Sequence, residues 1–456
     1  QQLYGQVPDQ QLVGSWTGAL DVGTVKLRLA FNLSLTGEGQ FSATLDSPDQ
    51  GAMGIPLGEV NRWGDSIKID APALMGYYTG KVSSETTMEG VWNQNNQGFQ
   101  LDLEKQSEPE VLNRPQEPKP PFPYREEEVS FENREAGFFL SGTLTIPPGE
   151  GPFPAVVLIT GSGSQNRDEE IFGHKPFRLI ADQLTRKGIA VLRYDDRGFA
   201  SSGGVAAGAT SEDFAGDARS AIEYISGRPE TNPSKTGIIG HSEGGMIAFM
   251  LASEYDDIGF VISLAGPGVD GKTILLDQSE YMGRLMGAEE AVLKENRVIM
   301  DKVYEVMIST ESYEAWGEEV LEFISAHYAA KGDLQLSEGE IEQVGKNLLG
   351  SIPESSYNWL RYFVMFDPSE YLVNIKCPVL ALNGEKDCQV LANKNINAIR
   401  DHLMRSGNMR VVAVVLPGLN HLFQNCDTGL PAEYGQIEET FNPKALNIMM
   451  DWILQL

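Results

Sequence analysis

The sequence predicts an α/β protein: a mostly parallel sheet flanked by helices, interrupted by a helical cap insertion and preceded by a small antiparallel all-β domain. Three observations predict it. Residues 1–105 carry short runs in which apolar and polar side chains alternate, the period of a strand with one wet face. Residues 106–124 crowd six prolines into one segment. From Arg125 onward, short apolar runs alternate with segments of helical periodicity, the pattern of a parallel sheet covered on both faces.

The front domain is read from its hairpins. Val25, Leu27, Leu29, Phe31, Leu33 and Leu35 alternate with polar or small residues, and Phe41, Ala43 and Leu45 resume the pattern after the turn Thr36-Gly37-Glu38-Gly39. Ile67/Ile69, Met88/Trp92 and Phe99/Leu101/Leu103 repeat it, with Asn95-Asn96-Gln97-Gly98 as another turn. Such spacing predicts a small barrel or sandwich. Trp16, Trp63 and Trp92 are expected in its core, although exposed tryptophans would suit a sugar. Pro109, Pro115, Pro118, Pro120, Pro121 and Pro123 remove backbone donors and fix φ, which predicts a semi-rigid extended linker over 106–124.

The α/β part is expected over 125–267 and 367–456. Strands are expected at Phe138–Ile146, Phe153–Thr160, Ile189–Tyr194, Thr236–Gly240, Phe260–Ala265, Pro378–Leu382 and Met409–Leu416. Helices are expected at Phe177–Lys187, Asp213–Ser226 with Ser211 or Glu212 near its start, Gly244–Glu254, Ala392–Ser406 and Pro443–Leu456. Residues 268–366, rich in Glu, Met, Leu and Tyr at helical spacing, form the insertion.

Length and charge narrow the function. A chain of 456 residues exceeds what a single core fills, so two to three domains are expected. Lys and Arg number 35 against 64 Asp and Glu, a balance of −29. That charge repels phosphate backbones and anionic membrane surfaces, which sets aside nucleic acid as a partner. No run approaches the ~18 apolar residues of a membrane span. The chain starts at Gln1 without an initiator Met or apolar leader, so the expectation is a processed product exported to the periplasm or the medium. Charge leaves the oligomeric state undetermined.

The sharpest chemical signal is Gly240-His241-Ser242-Glu243-Gly244, followed by Gly245. It ends an apolar strand and opens a helix, the setting a nucleophile elbow needs. A serine in so tight a turn requires neighbours two residues away that are nearly side-chain-free. Its hydroxyl is a poor nucleophile until a base takes the proton. Where this elbow occurs, an acid and then a histidine follow the serine. Of the five histidines, His327 falls in the insertion and His402 within a helix. His421 follows the last strand in the loop Pro417-Gly418-Leu419-Asn420, where sites of open sheets gather. It is the expected base. The acid should follow Pro378–Leu382, where Glu385 and Asp387 both stand; the Gly384-Glu385-Lys386-Asp387 turn favours Asp387. Two backbone N–H donors must hold the developing oxyanion: those of Glu243 and Ser162, with Gly163 the alternative to Ser162. Gly163 and His174 are candidate substrate contacts. Asp195-Asp196-Arg197-Gly198 is expected to be a structural turn with Arg197 paired to a carboxylate.

With these residues in place, the chain resembles the α/β-hydrolase superfamily, and more closely bacterial esterases and dienelactone-hydrolase-like proteins with an N-terminal β domain. The resemblance is carried by Thr160-Gly161-Ser162-Gly163, Tyr194-Asp195-Asp196-Arg197-Gly198, the elbow, Gly384-Glu385-Lys386-Asp387 and Asn420-His421, and in front by Leu45-Asp46-Ser47-Pro48-Asp49-Gln50-Gly51. It covers roughly 125–456, with the insertion as the variable part. It implies hydrolysis of small-molecule carboxylic esters through a Ser242-Asp387-His421 triad, with no metal or cofactor. A peptidase or acyl-thioesterase would use the same machinery, and a binding protein on a retired hydrolase fold is the reading from another class.

Three cysteines, Cys377, Cys388 and Cys426, are too few for a disulfide framework. Cys388 follows the candidate acid and Cys426 lies five residues after the candidate base. If the triad forms, the two loops meet, and a Cys388–Cys426 disulfide would brace it in an oxidising compartment.

Overall fold

A computed structural model describes residues 9–21, 26–36, 40–47, 52–94, 97–106, 113–330 and 337–456. The turns at Gly37–Gly39 and Asn95–Asn96, the start of the first alternating run at Val25, the Pro48–Gly51 part of the resemblance and residues 107–112 of the linker lie outside them. By contact the chain divides into one unit of Gln1–Arg114, Ile171–Gly173 and Pro431–Glu438, and another of Pro115–Glu170, His174–Leu430 and Glu439–Leu456.

In the first unit a short helix, α1 (Asp9–Leu12), precedes ten strands: β1 (Gly14–Asp21), β2 (Lys26–Leu35), β3 (Phe41–Ser47), β4 (Ala52–Pro56), β5 (Val60–Trp63), β6 (Ser66–Ala71), β7 (Gly76–Val82), β8 (Thr87–Gln94), β9 (Gln97–Gln100) and β10 (Leu103–Lys105). They form one antiparallel sheet in the order β4-β3-β2-β1-β10-β8-β7-β6-β5, with β9 on β8. β3 and β5, near its two ends, approach each other. The alternation buries one face: Trp16, Phe31, Leu45, Ile69, Tyr78, Met88 and Trp92 form its core. Phe31 packs against Tyr78 and Trp92 with ring centroids 5.3 and 6.2 Å apart. Trp63 departs from expectation. It ends β5 opposite Ser66 and is 57% exposed, because β5 is an edge strand and Trp63 falls on its outer face.

In the second unit, β11 (Arg125–Asn133), β12 (Phe138–Ile146), β13 (Phe153–Ile159), β14 (Ala190–Tyr194), β15 (Thr231–His241), β16 (Val261–Leu264), β17 (Val379–Gly384) and β18 (Val411–Leu416) form a sheet ordered β11-β12-β14-β13-β15-β16-β17-β18. β11 and β12 pair antiparallel, as do β12 and β14; from β14 through β13 to β18 the pairing is parallel. β11 was not expected. Its sequence, Arg-Glu-Glu-Glu-Val-Ser-Phe-Glu-Asn, hides the strand because an edge strand leaves one side in water.

The flanking helices are α2 (Pro176–Arg186), α3 (Ser211–Ser226), α4 (Glu243–Glu254), α11 (Ala392–Arg405) and α12 (Pro443–Ile453). α3 begins at Ser211 because Thr210 and Asp213 form a capping box, with the Thr210 N–H donating to Asp213 Oδ2 at 2.9 Å. The apolar residues of the sheet face two cores, one against α3 and α4 and one against α2 and α12. Between β16 and β17 the chain forms α5 (Gly271–Leu285), α6 (Glu290–Ser309), α7 (Tyr313–Ala330), α8 (Glu338–Gly350), α9 (Glu354–Met365) and the single turn α10 (Ser369–Leu372). These helices have a core of their own around Val303, Met307, Trp316, Val320 and Tyr357. Among the described residues no helix is long and apolar enough to cross a membrane.

Trp16 is fully buried and its Nε1 donates to the Leu12 carbonyl at 2.7 Å. Trp16→Ala is therefore expected to cost about 3–5 kcal/mol. Urea denaturation followed by circular dichroism would show the loss as an earlier midpoint of the first unit.

Candidate active site

The elbow is built by steric exclusion. β15 runs into α4 at Ser242, whose backbone sits at φ +52° and ψ −117°, a region costly for a residue with a Cβ. A Cβ on Gly240 would lie 1.9 Å from the Gly244 carbonyl oxygen, and one on Gly244 would lie 2.2 Å from that of Ile159. Only hydrogen fits at either place. The Ser242 N–H donates to the Leu264 carbonyl at 2.8 Å, which pins the turn to β16.

The candidate acid and base come from adjacent strand ends. Asp387 Oδ2 lies 2.7 Å from His421 Nδ1, with both side chains buried. Asp387 Oδ1 accepts from the N–H groups of Gln389 and Val390 at 2.8 and 2.9 Å. This carboxylate is thus aimed at the imidazole by its own turn. Glu385 is turned elsewhere: its Oε2 accepts from the Gly418 N–H at 3.0 Å. The two loops touch closely, and a Cβ on Gly384 would lie 2.3 Å from the Leu419 oxygen.

As the first residue of α4, Glu243 has a backbone N–H without an intrahelical acceptor. The Ser162–Gly163 loop is exposed, with Gly163 at φ +95°.

Residues 175–316, which include the elbow, match the family model described as serine aminopeptidase, S33. Esterase EstD of Thermotoga maritima is 36% identical over 146 residues, 32% of this chain and 35% of its own. YtaP of Bacillus subtilis, named as a hydrolase, is 30% identical over 149 residues, 28% of this chain and 48% of its own. The chain thus spans about a third to a half of these curated relatives. A Pyrococcus furiosus esterase of known structure aligns with TM-score 0.42 at 16% identity, over 76% of this chain and 98% of its own. Residues 175–316 are thus similar to serine hydrolases, and the parallel sheet with its flanking helices has the α/β-hydrolase fold.

Within the hydrolase domain, a second histidine proves structural. His241 Nδ1 meets Glu169 Oε1 at 2.9 Å and its Nε2 meets the His421 carbonyl at 3.0 Å. Glu169 Oε1 also accepts from the Gly161 N–H at 2.8 Å. The residue before Ser242 therefore joins, through Glu169, the Gly161 loop to the backbone of His421. Burial disfavours the imidazolium of His241, but the Glu169 carboxylate and the His421 carbonyl outweigh it and raise the pKa. Its charge thus stabilises the fold below the ordinary histidine range, and that contribution is withdrawn as pH rises through the raised value. The motif spelled His241 out, but its partner Glu169 lies 72 positions upstream and nothing in the sequence paired them.

Other expected residues find quieter places. His174 is 1% exposed and its Nδ1 meets Thr440 Oγ1 at 3.0 Å. It is a buried fastening for the start of α2, held to Thr440. Arg197 is paired, as expected of the turn, with Asp217 at 2.7 Å and Asp213 at 3.0 Å. Cys388 and Cys426 do not form a disulfide: Cys388 Sγ donates to the Gly429 carbonyl at 3.1 Å and Cys426 Sγ to that of Gly418 at 3.5 Å. The loops do meet, but each thiol is committed to a carbonyl of a different turn. The argument for an oxidising compartment goes with the disulfide.

Asp196 bonds to both ends of the loop that carries Ser162; it is 5% exposed and accepts from Thr160 Oγ1 at 2.9 Å and the Gln165 N–H at 2.8 Å. Burial pushes its carboxyl up to about 7; the two donors oppose this and nearby Glu243 and Glu169 add to it. Between the ordinary carboxyl range near pH 4 and about 7, the folded chain holds a proton that the unfolded chain has released. Across that window this group lowers stability as pH rises, by at most about 1.4 kcal/mol per pH unit, and no further above it. Asp196→Asn should flatten that slope, measured as the difference in urea midpoint between variant and parent at pH 5 and pH 8. Gly244→Ala, by contrast, is expected to abolish soluble expression or lower the melting temperature sharply, read by differential scanning fluorimetry.

Proposed function

We propose that the protein is a serine hydrolase of small-molecule carboxylic esters, acting through an acyl-enzyme. The observation that carries this reading is the 2.7 Å contact between Asp387 and His421, in loops bound to the elbow through His241. Ser242 Oγ attacks the ester carbonyl carbon and its proton passes to His421 Nε2. Asp387 holds the tautomer that leaves this nitrogen basic and stabilises the imidazolium. The N–H groups of Glu243 and Ser162 take the tetrahedral oxyanion. Collapse expels the alcohol, protonated by His421. Water, deprotonated by the same imidazole, then attacks the acyl carbon; the acid leaves and Ser242 recovers its proton. The helical insertion over 268–366 is the lid that sets acyl and alcohol preference.

The family model's description as a serine aminopeptidase favours one second reading, in which the same residues cleave an N-terminal aminoacyl amide. Turnover of p-nitrophenyl acetate against aminoacyl p-nitroanilides separates the two. Failure of a fluorophosphonate probe to label Ser242 would leave only a binding protein.

Ser242→Ala is expected to lower kcat for p-nitrophenyl acetate by about 10³-fold or more, with circular dichroism and melting temperature unchanged. Asp387→Asn should cost on the order of 10³–10⁴-fold in kcat through the wrong tautomer. Persistent turnover in the Ser242→Ala protein would end the esterase reading.

A further inference from the structure

The triad mechanism uses only the backbone N–H of Glu243. Its side chain is nevertheless 3% exposed and unusually well supplied with donors. Oε1 accepts from Ser211 Oγ at 2.6 Å and from Trp359 Nε1 at 2.9 Å. The Ser162 side chain also favours the ionised form of this carboxyl. These groups come from three places. Ser211 opens α3, Trp359 belongs to α9 in the insertion, and Ser162 sits in the loop that offers the second oxyanion N–H. Trp359 also stacks on Phe363 with ring centroids 5.7 Å apart, so the indole is held from α9's own side.

A buried carboxyl is an expensive way to fill space. Burial pushes its pKa up, and the Ser211, Trp359 and Ser162 side chains recover only part of the cost. Leucine or methionine would fill the same volume without that cost. The carboxyl does what they could not: it accepts from Ser211 and Trp359 at once, which fixes the Glu243 side chain between α3 and α9. Oxyanion donors act only when preorganised within a few tenths of an ångström.

We propose that Glu243 is a positioning residue that couples helix α9 of the insertion to the oxyanion hole: the indole N–H of Trp359, seated on the carboxyl, holds the Glu243 and Ser162 N–H groups at their working separation. The insertion thereby tunes the rate of the chemical step as well as access to it. This inference rests on the esterase reading above.

The test compares kcat, KM and the affinity of an aryl boronic acid, whose serine adduct mimics the tetrahedral intermediate, in the full-length protein. Trp359→Phe keeps an aromatic ring and removes the N–H; Ser162→Ala keeps the backbone donor and removes the hydroxyl. Each is expected to lower kcat and boronate affinity together by roughly tenfold, with KM within about twofold. Glu243→Gln, which retains an acceptor for Ser211 and Trp359, should be impaired less than Glu243→Ala. In the Glu243→Ala background Trp359→Phe should add nothing further. If Glu243→Ala fails to fold, the first two variants decide. Unchanged kcat and boronate affinity in both, even with a lowered melting temperature, would reduce Glu243 to a structural anchor and overturn the inference. Absence of ester turnover in the parent protein would overturn the esterase reading and this inference with it.

Discussion

A serine held at φ +52° survives only if everything around it gives way. Gly240 and Gly244 leave no room for a methyl group on either side of the turn. That exclusion lets β15 end and α4 begin within one residue, so the same turn presents a hydroxyl and an unpaired helical N–H. The rest of the hydrolase domain is arranged to keep this junction rigid. Ser242 is bonded back to β16, and the parallel strands around it are buried on both faces. The strain is local, and the packing that over-determines it is not.

Around the junction the domain buries charge in pairs and shares it between loops. Glu169 joins His241 to the Gly161 N–H, and His241 reaches the backbone of His421. Arg167 pairs with buried Asp195 at 2.7 Å. Glu243 draws in Ser211 and Trp359. Such pairs contribute little net stability, since desolvation consumes most of their attraction. What they supply is direction. Each loses a costly buried interaction if its loop shifts, so the loops that carry Gly161, Ser242 and His421 have one arrangement rather than several.

The legibility of the chain follows the range of the interactions that decide each feature. The parallel strands were readable because residues buried on both faces are apolar throughout, as in Ala155–Ile159. β11 was not, because its Glu residues face water and only its pairing with β12 makes it a strand. The elbow was readable because strand, turn and helix are contiguous. Asp387 could be favoured over Glu385 from the turn between them, but the choice is made by distance to an imidazole 34 residues away. The surroundings of His174 were hidden for the reverse reason: its nearness in sequence to the Ser162 loop said nothing of Thr440.

By itself the sequence determined the order of the parallel strands and their helices, the strand-turn-helix at Ser242 and the presence of a carboxylate and an imidazole after later strands, since these rest on local sterics and hydrophobic period. Tertiary structure alone decided which polar groups meet. Glu169 with His241, Glu243 with Trp359 and the separate fates of Cys388 and Cys426 depend on loops that converge only once the sheet has formed. A buried charge leaves no periodic trace in the chain. Its partner is set by which loops the finished sheet brings side by side.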